Sequence, residues 1–169
     1  MKSSRVALLA LAAALPVACT NSSTESAACH TFRTALFVKD RMSQRVSVFN
    51  LNEPITFDLE ITNTSNAPAT LTAGSSCTAV VFEVADSRQR RWGNADHIAC
   101  IQMLQPRTYA ALETVSESST WDQTDSNGVA VPRGNYTVTA SVGQYAPDPG
   151  GLLVDCRAEL SKSANFRID

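Results

Sequence analysis

The chain has little of what most enzymes depend on. Two histidines, His30 and His97, are all that its 169 residues supply. It has no Gly-x-Ser-x-Gly elbow, no His-Glu-x-x-His pair and no glycine-rich phosphate loop. A Ser-His-Asp site would have to use His30 or His97, and each lies within three residues of a cysteine. No catalytic residue is assigned, and no enzymatic activity is expected. Long basic runs are missing as well. The cluster Arg88-Gln89-Arg90-Arg91 is too short for a polyanion-binding face, and the net charge is −2. Nucleic acid is therefore not an expected partner. Sustained helical amphipathicity is absent too, which argues against a helical domain.

The N-terminus carries a different pattern. Lys2 and Arg5 precede an apolar run, Val6 to Leu15, that is too short to span a bilayer comfortably. The run meets Pro16-Val17-Ala18-Cys19, where a small residue directly precedes a cysteine, as in bacterial lipoprotein signals. Leu15 stands one place earlier than the usual leucine, and an ordinary secretory signal cut near Ala18 is the alternative. The expectation is a lipoprotein signal peptide over residues 1–18 and lipidation of Cys19. A small, polar tether over residues 19–28 and one folded domain over 29–169 follow. Thr20 after the cysteine places the protein, on this reading, in the outer membrane facing the periplasm.

Four cysteines remain: Cys29, Cys77, Cys100 and Cys156. None forms a C-x-x-C pair. A zinc site drawn from Cys29, His30, His97 and Cys100 is disfavoured, because adjacent residues on a strand face opposite ways. Two disulfides fit better, with Cys77–Cys100 closing a local loop and Cys29–Cys156 tying the first strand to the segment before the last. No metal or cofactor is expected.

From Phe32 onward the period is two. Ile55-Thr56-Phe57-Asp58-Leu59-Glu60-Ile61-Thr62-Asn63 is the clearest case, with apolar residues inward and polar ones outward. Further strands are expected near Phe32–Val38, Val46–Leu51, Ala69–Leu71, Ala79–Val84, Ile98–Leu104, Thr108–Trp121, Tyr136–Val142 and Ala164–Ile168. Short strands between turn clusters indicate an all-β, immunoglobulin-like antiparallel β-sandwich with two disulfides. Asp122, Asp125 and Asn127 offer too few oxygens for calcium. With Asn127-Gly128 as a turn, Asp122 to Gly128 reverse the chain and the stretch reads as a hairpin.

Several of these pieces occur in a recognisable order. A strand ending at Asn63 leads to Val81-Phe82-Glu83-Val84-Ala85-Asp86, then Arg91-Trp92, Gln102-Met103-Leu104, Trp121-Asp122 and Val131-Pro132-Arg133-Gly134-Asn135-Tyr136. Over roughly Val46 to Val142 this resembles the BsuPI-type intracellular proteinase inhibitor domain. The resemblance implies an inhibitor that presents an exposed loop to a serine proteinase. The stretch from Arg88 to His97 is the candidate loop, with Arg90 or Arg91 as the anchor for a trypsin-like pocket; the alternative is that these arginines are solvated charges on an edge strand. Arg88, Trp92 and His97 complete the candidate partner-binding set, with capping of the core as the competing role for Trp92. The preferred reading is a non-catalytic envelope lipoprotein, held to the membrane by its lipid anchor, whose domain binds another envelope protein. Proteinase inhibition is the alternative. The two differ in one respect: an inhibitor working through Arg88–His97 needs that loop clear of the sheets.

Overall fold

Alternating apolar residues become strand wherever one face can be buried, and β-branched residues fit the pleat. The computed structural model describes residues 27–75 and 79–169. Twelve strands and two short helical turns follow in order. A 3-10 turn at Cys29–Thr31 precedes β1 (Phe32–Lys39), β2 (Val48–Phe49), β3 (Ile55–Asn63), β4 (Ala69–Ala73), β5 (Val80–Ala85) and β6 (Arg90–Gly93). Then come β7 (Gln105–Tyr109), β8 (Thr114–Trp121), β9 (Gly134–Val142), β10 (Gln144–Pro147), β11 (Leu153–Asp155), α1 (Arg157–Leu160) and β12 (Lys162–Ile168). They form three sheets, ordered β1-β3-β8, β11-β10-β4-β7 and β2-β12-β9-β5-β6. Every pairing is antiparallel except β2 with β12, which is parallel.

β3 is the middle strand of its sheet, and Ile55, Phe57, Leu59 and Ile61 are all fully buried. Phe57 carries the contact between sheets. Its ring lies 6.2 Å from Phe82 on β5, 5.8 Å from Phe166 on β12 and 6.3 Å from Trp121 on β8. The inward set on β9, Tyr136, Val138, Ala140 and Val142, is buried as the alternation predicts. Asp58 departs from the pattern. It was expected to face solvent but is buried, and the Lys39 ammonium donates to its carboxylate across the β1–β3 pair.

Asn63 shows why β3 ends where it does. Its amide nitrogen donates to the carbonyls of Ala67 (2.8 Å) and Ala110 (2.8 Å), and its oxygen accepts from the Ser65 amide (3.0 Å) and hydroxyl (2.8 Å). One buried side chain thus holds the β3–β4 turn and the β7–β8 turn together. That satisfies backbone groups that would otherwise be costly to bury.

The structure corrects several expectations. Thr108–Trp121 is not one strand; β7 and β8 are separated by a turn containing Leu112, with φ 59°. Ile98–Leu104 is irregular, and β6 occupies the middle of what was read as a loop from Arg88 to His97. The segment from Gln144 to Leu160, where the sequence pattern indicates no strand, contains β10, β11 and α1. Cys29 and Cys156 are joined, with their Cα atoms 5.3 Å apart. It is the single disulfide whose two cysteines both lie among the described residues, and Cys100 is disulfide-bonded as well. Cys77 lies outside those residues, and so does the expected Cys77–Cys100 bridge.

Candidate functional site

The hairpin of β5 and β6 carries most of the residues singled out in the sequence. Its turn is built by Asp86, whose Oδ1 accepts the amides of Arg88 (2.8 Å) and Gln89 (2.9 Å). Oδ2 of the same carboxylate accepts from Nε (2.8 Å) and Nη2 (2.6 Å) of Arg91. A register shift between Val84 and Ala85 makes room for Arg91 in the ladder. Arg90 turns the other way, donating from Nε to Glu83 (2.6 Å) and from Nη1 and Nη2 to the two oxygens of Asp96 (3.2 and 2.5 Å). Both guanidinium groups are therefore engaged in forked ion pairs. Arg88 stays exposed, with its backbone amide fixed in the turn.

Trp92 faces the core. Its ring lies 6.2 Å from Phe57 and 6.3 Å from Trp121. His97 adopts φ 63°, and its Nε2 lies 2.8 Å from the Ser126 carbonyl. The Ser126 hydroxyl donates directly to Asp96 (2.6 Å). Serine, aspartate and histidine thus meet here, but in the wrong order for a nucleophile. A relay needs the imidazole between hydroxyl and carboxylate, whereas this carboxylate takes the hydroxyl itself. The arrangement braces a loop.

These contacts leave a pH signature. The carboxyl of Asp86 is held down to about 2, first by the Arg88 and Gln89 amides and then by Arg91. Asp96 is likewise held down to about 2, chiefly by Arg90 and further by Ser126 and the Gly93 amide. Both ionise more readily folded than unfolded, where the ordinary value is 3.8. The stability they contribute is complete above that value and is lost as pH falls toward 2. The thermal midpoint is expected to drop across this window, and the Asp86→Asn, Asp96→Asn double variant to flatten the drop. Calorimetry in a pH series checks this; a variant as acid-sensitive as wild type would refute it.

Asp122 to Gly128 reverse the chain, as expected. The flanking strands do not form the expected hairpin: β8 pairs with β3 in one sheet and β9 with β5 and β12 in another. Asp122 accepts the Thr124 amide (3.1 Å), Asp125 accepts the amides of Asn127 (2.8 Å) and Val129 (3.0 Å), and Gly128 takes φ 78°. Among the described residues, no three His, Cys, Asp or Glu side chains come together to hold a metal ion. Gln123 was not anticipated. It is buried, with its nitrogen donating to the Asn50 and Glu53 carbonyls (2.8 Å each) and its oxygen accepting the Asn52 amide (2.8 Å).

A second unanticipated feature lies between β6 and β7. Every residue from 97 to 108 is exposed. Four of them are large and apolar: Ile98 (50% exposed), Ile101 (65%), Met103 (45%) and Leu104 (61%). The sequence reading made this a strand, but its apolar residues do not alternate with polar ones, a signal that could have identified it as a loop.

Residues 42–145 match the sequence model of the BsuPI family, described as intracellular proteinase inhibitor. No curated protein matches the chain. Among solved structures, alkylpurine DNA glycosylase AlkC from Pseudomonas fluorescens, bound to DNA containing an abasic site analogue, is 16% identical. Its TM-score is 0.44 over 82% of this chain and 30% of its own. A β-glucosidase from Listeria innocua in complex with glucose is 11% identical, with TM-score 0.41 over 81% of this chain and 16% of its own. A CARDB domain from Pyrococcus furiosus in complex with di-metal ions is 10% identical, with TM-score 0.40 over 82% and 90%. The chain thus spans under a third of the glycosylase and about a sixth of the glucosidase. Likenesses at these TM-scores carry no inference about function.

The family match overturns the expected location. Its description is of an intracellular protein, whereas the sequence reading placed the chain in the outer membrane as an anchored lipoprotein. That reading rested on a short apolar run and one Ala-Cys pair. Both, with Cys19, lie outside the described residues.

Proposed function

Because the chain belongs to the BsuPI intracellular proteinase inhibitor family, we propose that it is a non-catalytic protein that binds and inhibits a proteinase. The observation that carries this is the match itself, which runs from residue 42 to residue 145 and so takes in β2 to β9 entire. It favours inhibition over the general partner-binding module that the sequence alone made the first choice. The Ser126–Asp96–His97 geometry supports a non-catalytic role, since no nucleophile is activated there.

The domain serves as a rigid frame of immunoglobulin-like type. Support comes from the Tyr136 hydroxyl, which donates back to the Pro132 carbonyl four residues upstream. Such corner contacts recur in immunoglobulin-like sandwiches. Arg90 and Arg91 are not the inhibitory anchors on this reading. Entering a trypsin-like pocket would require breaking their ion pairs with Asp96, Glu83 and Asp86.

Titration of a serine proteinase panel, read with peptide substrates, tests the proposal. Activity of at least one member is expected to fall to a plateau at one inhibitor per enzyme. Unchanged activity across the panel at micromolar protein would refute inhibition.

A further inference from the structure

Arg90 and Arg91 are engaged in ion pairs, whereas the run from Ile98 to Leu104 turns its large apolar side chains to solvent. Four of the eleven large apolar residues that the described chain exposes fall within these seven positions. Scattered surface apolar residues need no explanation, but clustering of this kind does. The run from Ile98 to Pro106 also carries no charge. We infer that Ile98–Leu104 is the segment that enters the proteinase, and that the proteinase it fits has an apolar primary specificity pocket. This rests on the inhibitor reading and adds to it the inserting segment and the partner's preference.

The setting suits insertion. The run crosses from β6, an edge strand of one sheet, to β7, an edge strand of another. Both ends are fixed. On one side the His97 ring meets the Ser126 carbonyl at 2.8 Å, and the Asp96 carboxylate accepts the Gly93 amide at 2.9 Å. On the other, Gln105 begins a ladder with β4, pairing with Ala73. A segment held at both ends loses less freedom when bound. No residue from Ile98 to Leu104 takes a positive φ, so none needs the left-handed backbone that would prevent an extended peptide from lying along a cleft.

The occupant follows from size and chemistry. A stable interface between two copies takes about 800 Å² from each partner. A seven-residue rim is a small start toward that area, whereas a cleft wraps a narrow insert from several sides. A pocket for basic side chains would find no Lys or Arg between Ile98 and Pro106. Apolar pockets would instead take side chains that now contact water, and release of that water favours association.

The test uses the full chain with subtilisin, which prefers apolar residues, and trypsin, which prefers basic ones. Inhibition constants are measured for wild type, the Met103→Asp, Leu104→Asp pair, the conservative Met103→Leu variant, and Arg88→Ala. Wild type is expected to inhibit subtilisin and not trypsin. The aspartate pair is expected to weaken inhibition about 100-fold or more without lowering the thermal midpoint, because both sites are exposed. Met103→Leu and Arg88→Ala should inhibit like wild type. Full inhibition by the aspartate pair would overturn the loop assignment and leave the inhibitor reading intact. Inhibition of trypsin alone would overturn the apolar pocket. If sedimentation shows the pair turning a dimer into a monomer while inhibition persists, the run serves self-association and the assignment falls. Inhibition of neither enzyme would remove both proposals.

Discussion

Replacing Trp121 with alanine is expected to destabilise the domain by about 3–5 kcal/mol, the usual range for emptying a large aromatic site in a core. Trp121 is fully buried at the end of β8. Its ring contacts Phe57 at 6.3 Å, Tyr136 at 5.8 Å and Phe166 at 6.1 Å, so it touches strands of two sheets. Its indole N–H donates to the Thr124 carbonyl at 2.6 Å, which fixes the reversal that follows. Alanine would leave a cavity and an unpaired carbonyl together. Phenylalanine would keep much of the contact and lose only the hydrogen bond and part of the volume. Urea midpoints should therefore rank wild type above Trp121→Phe and Trp121→Phe above Trp121→Ala. A loss below about 1 kcal/mol for Trp121→Ala would mean that the inter-sheet contact carries little of the stability.

Loss of the Cys29–Cys156 disulfide is expected to cost a similar amount. The bridge spans 127 residues of sequence. On a chain-entropy view, closing so long a loop in the unfolded chain is worth on the order of 4–5 kcal/mol. The bond joins the turn before β1 to the residue that begins α1, and both sulfurs are buried. A second tie lies nearby, where the Thr34 hydroxyl donates to the Leu160 carbonyl at 2.7 Å. The Cys29→Ala, Cys156→Ala variant should unfold at much lower urea. The native protein should resist reductant until denaturant exposes the bond. Equal unfolding free energies with and without the bridge would contradict this account.

Sequence legibility followed burial. β3 and β9 were readable because only one register buries Ile55, Phe57, Leu59 and Ile61, or Tyr136, Val138, Ala140 and Val142. β6 was not, because an edge strand rich in arginine has the composition of a loop. What makes it a strand is the fixed company of Glu83, Asp86 and Asp96, which local sequence does not reveal. The same contacts changed the candidate site. Arg90, Arg91 and Trp92 stand out in the sequence either as anchors or as edge-strand charges and a core cap; ion pairs hold the two arginines and the core holds Trp92. Ile98–Leu104 was misread in the opposite direction, since its apolar content looked like a buried strand. Composition shows that residues are apolar; only the packing shows whether they are covered. Gln123 escaped notice because its role comes from the carbonyls of Asn50 and Glu53, some seventy residues away.

Hydrogen–deuterium exchange on the full chain, free and in complex with subtilisin, tests the central claim most directly. The account predicts slowed amide exchange from His97 to Leu104 in the complex and no change from Arg88 to Gly93. Protection centred on Arg88–Gly93, or no complex at all, would contradict it.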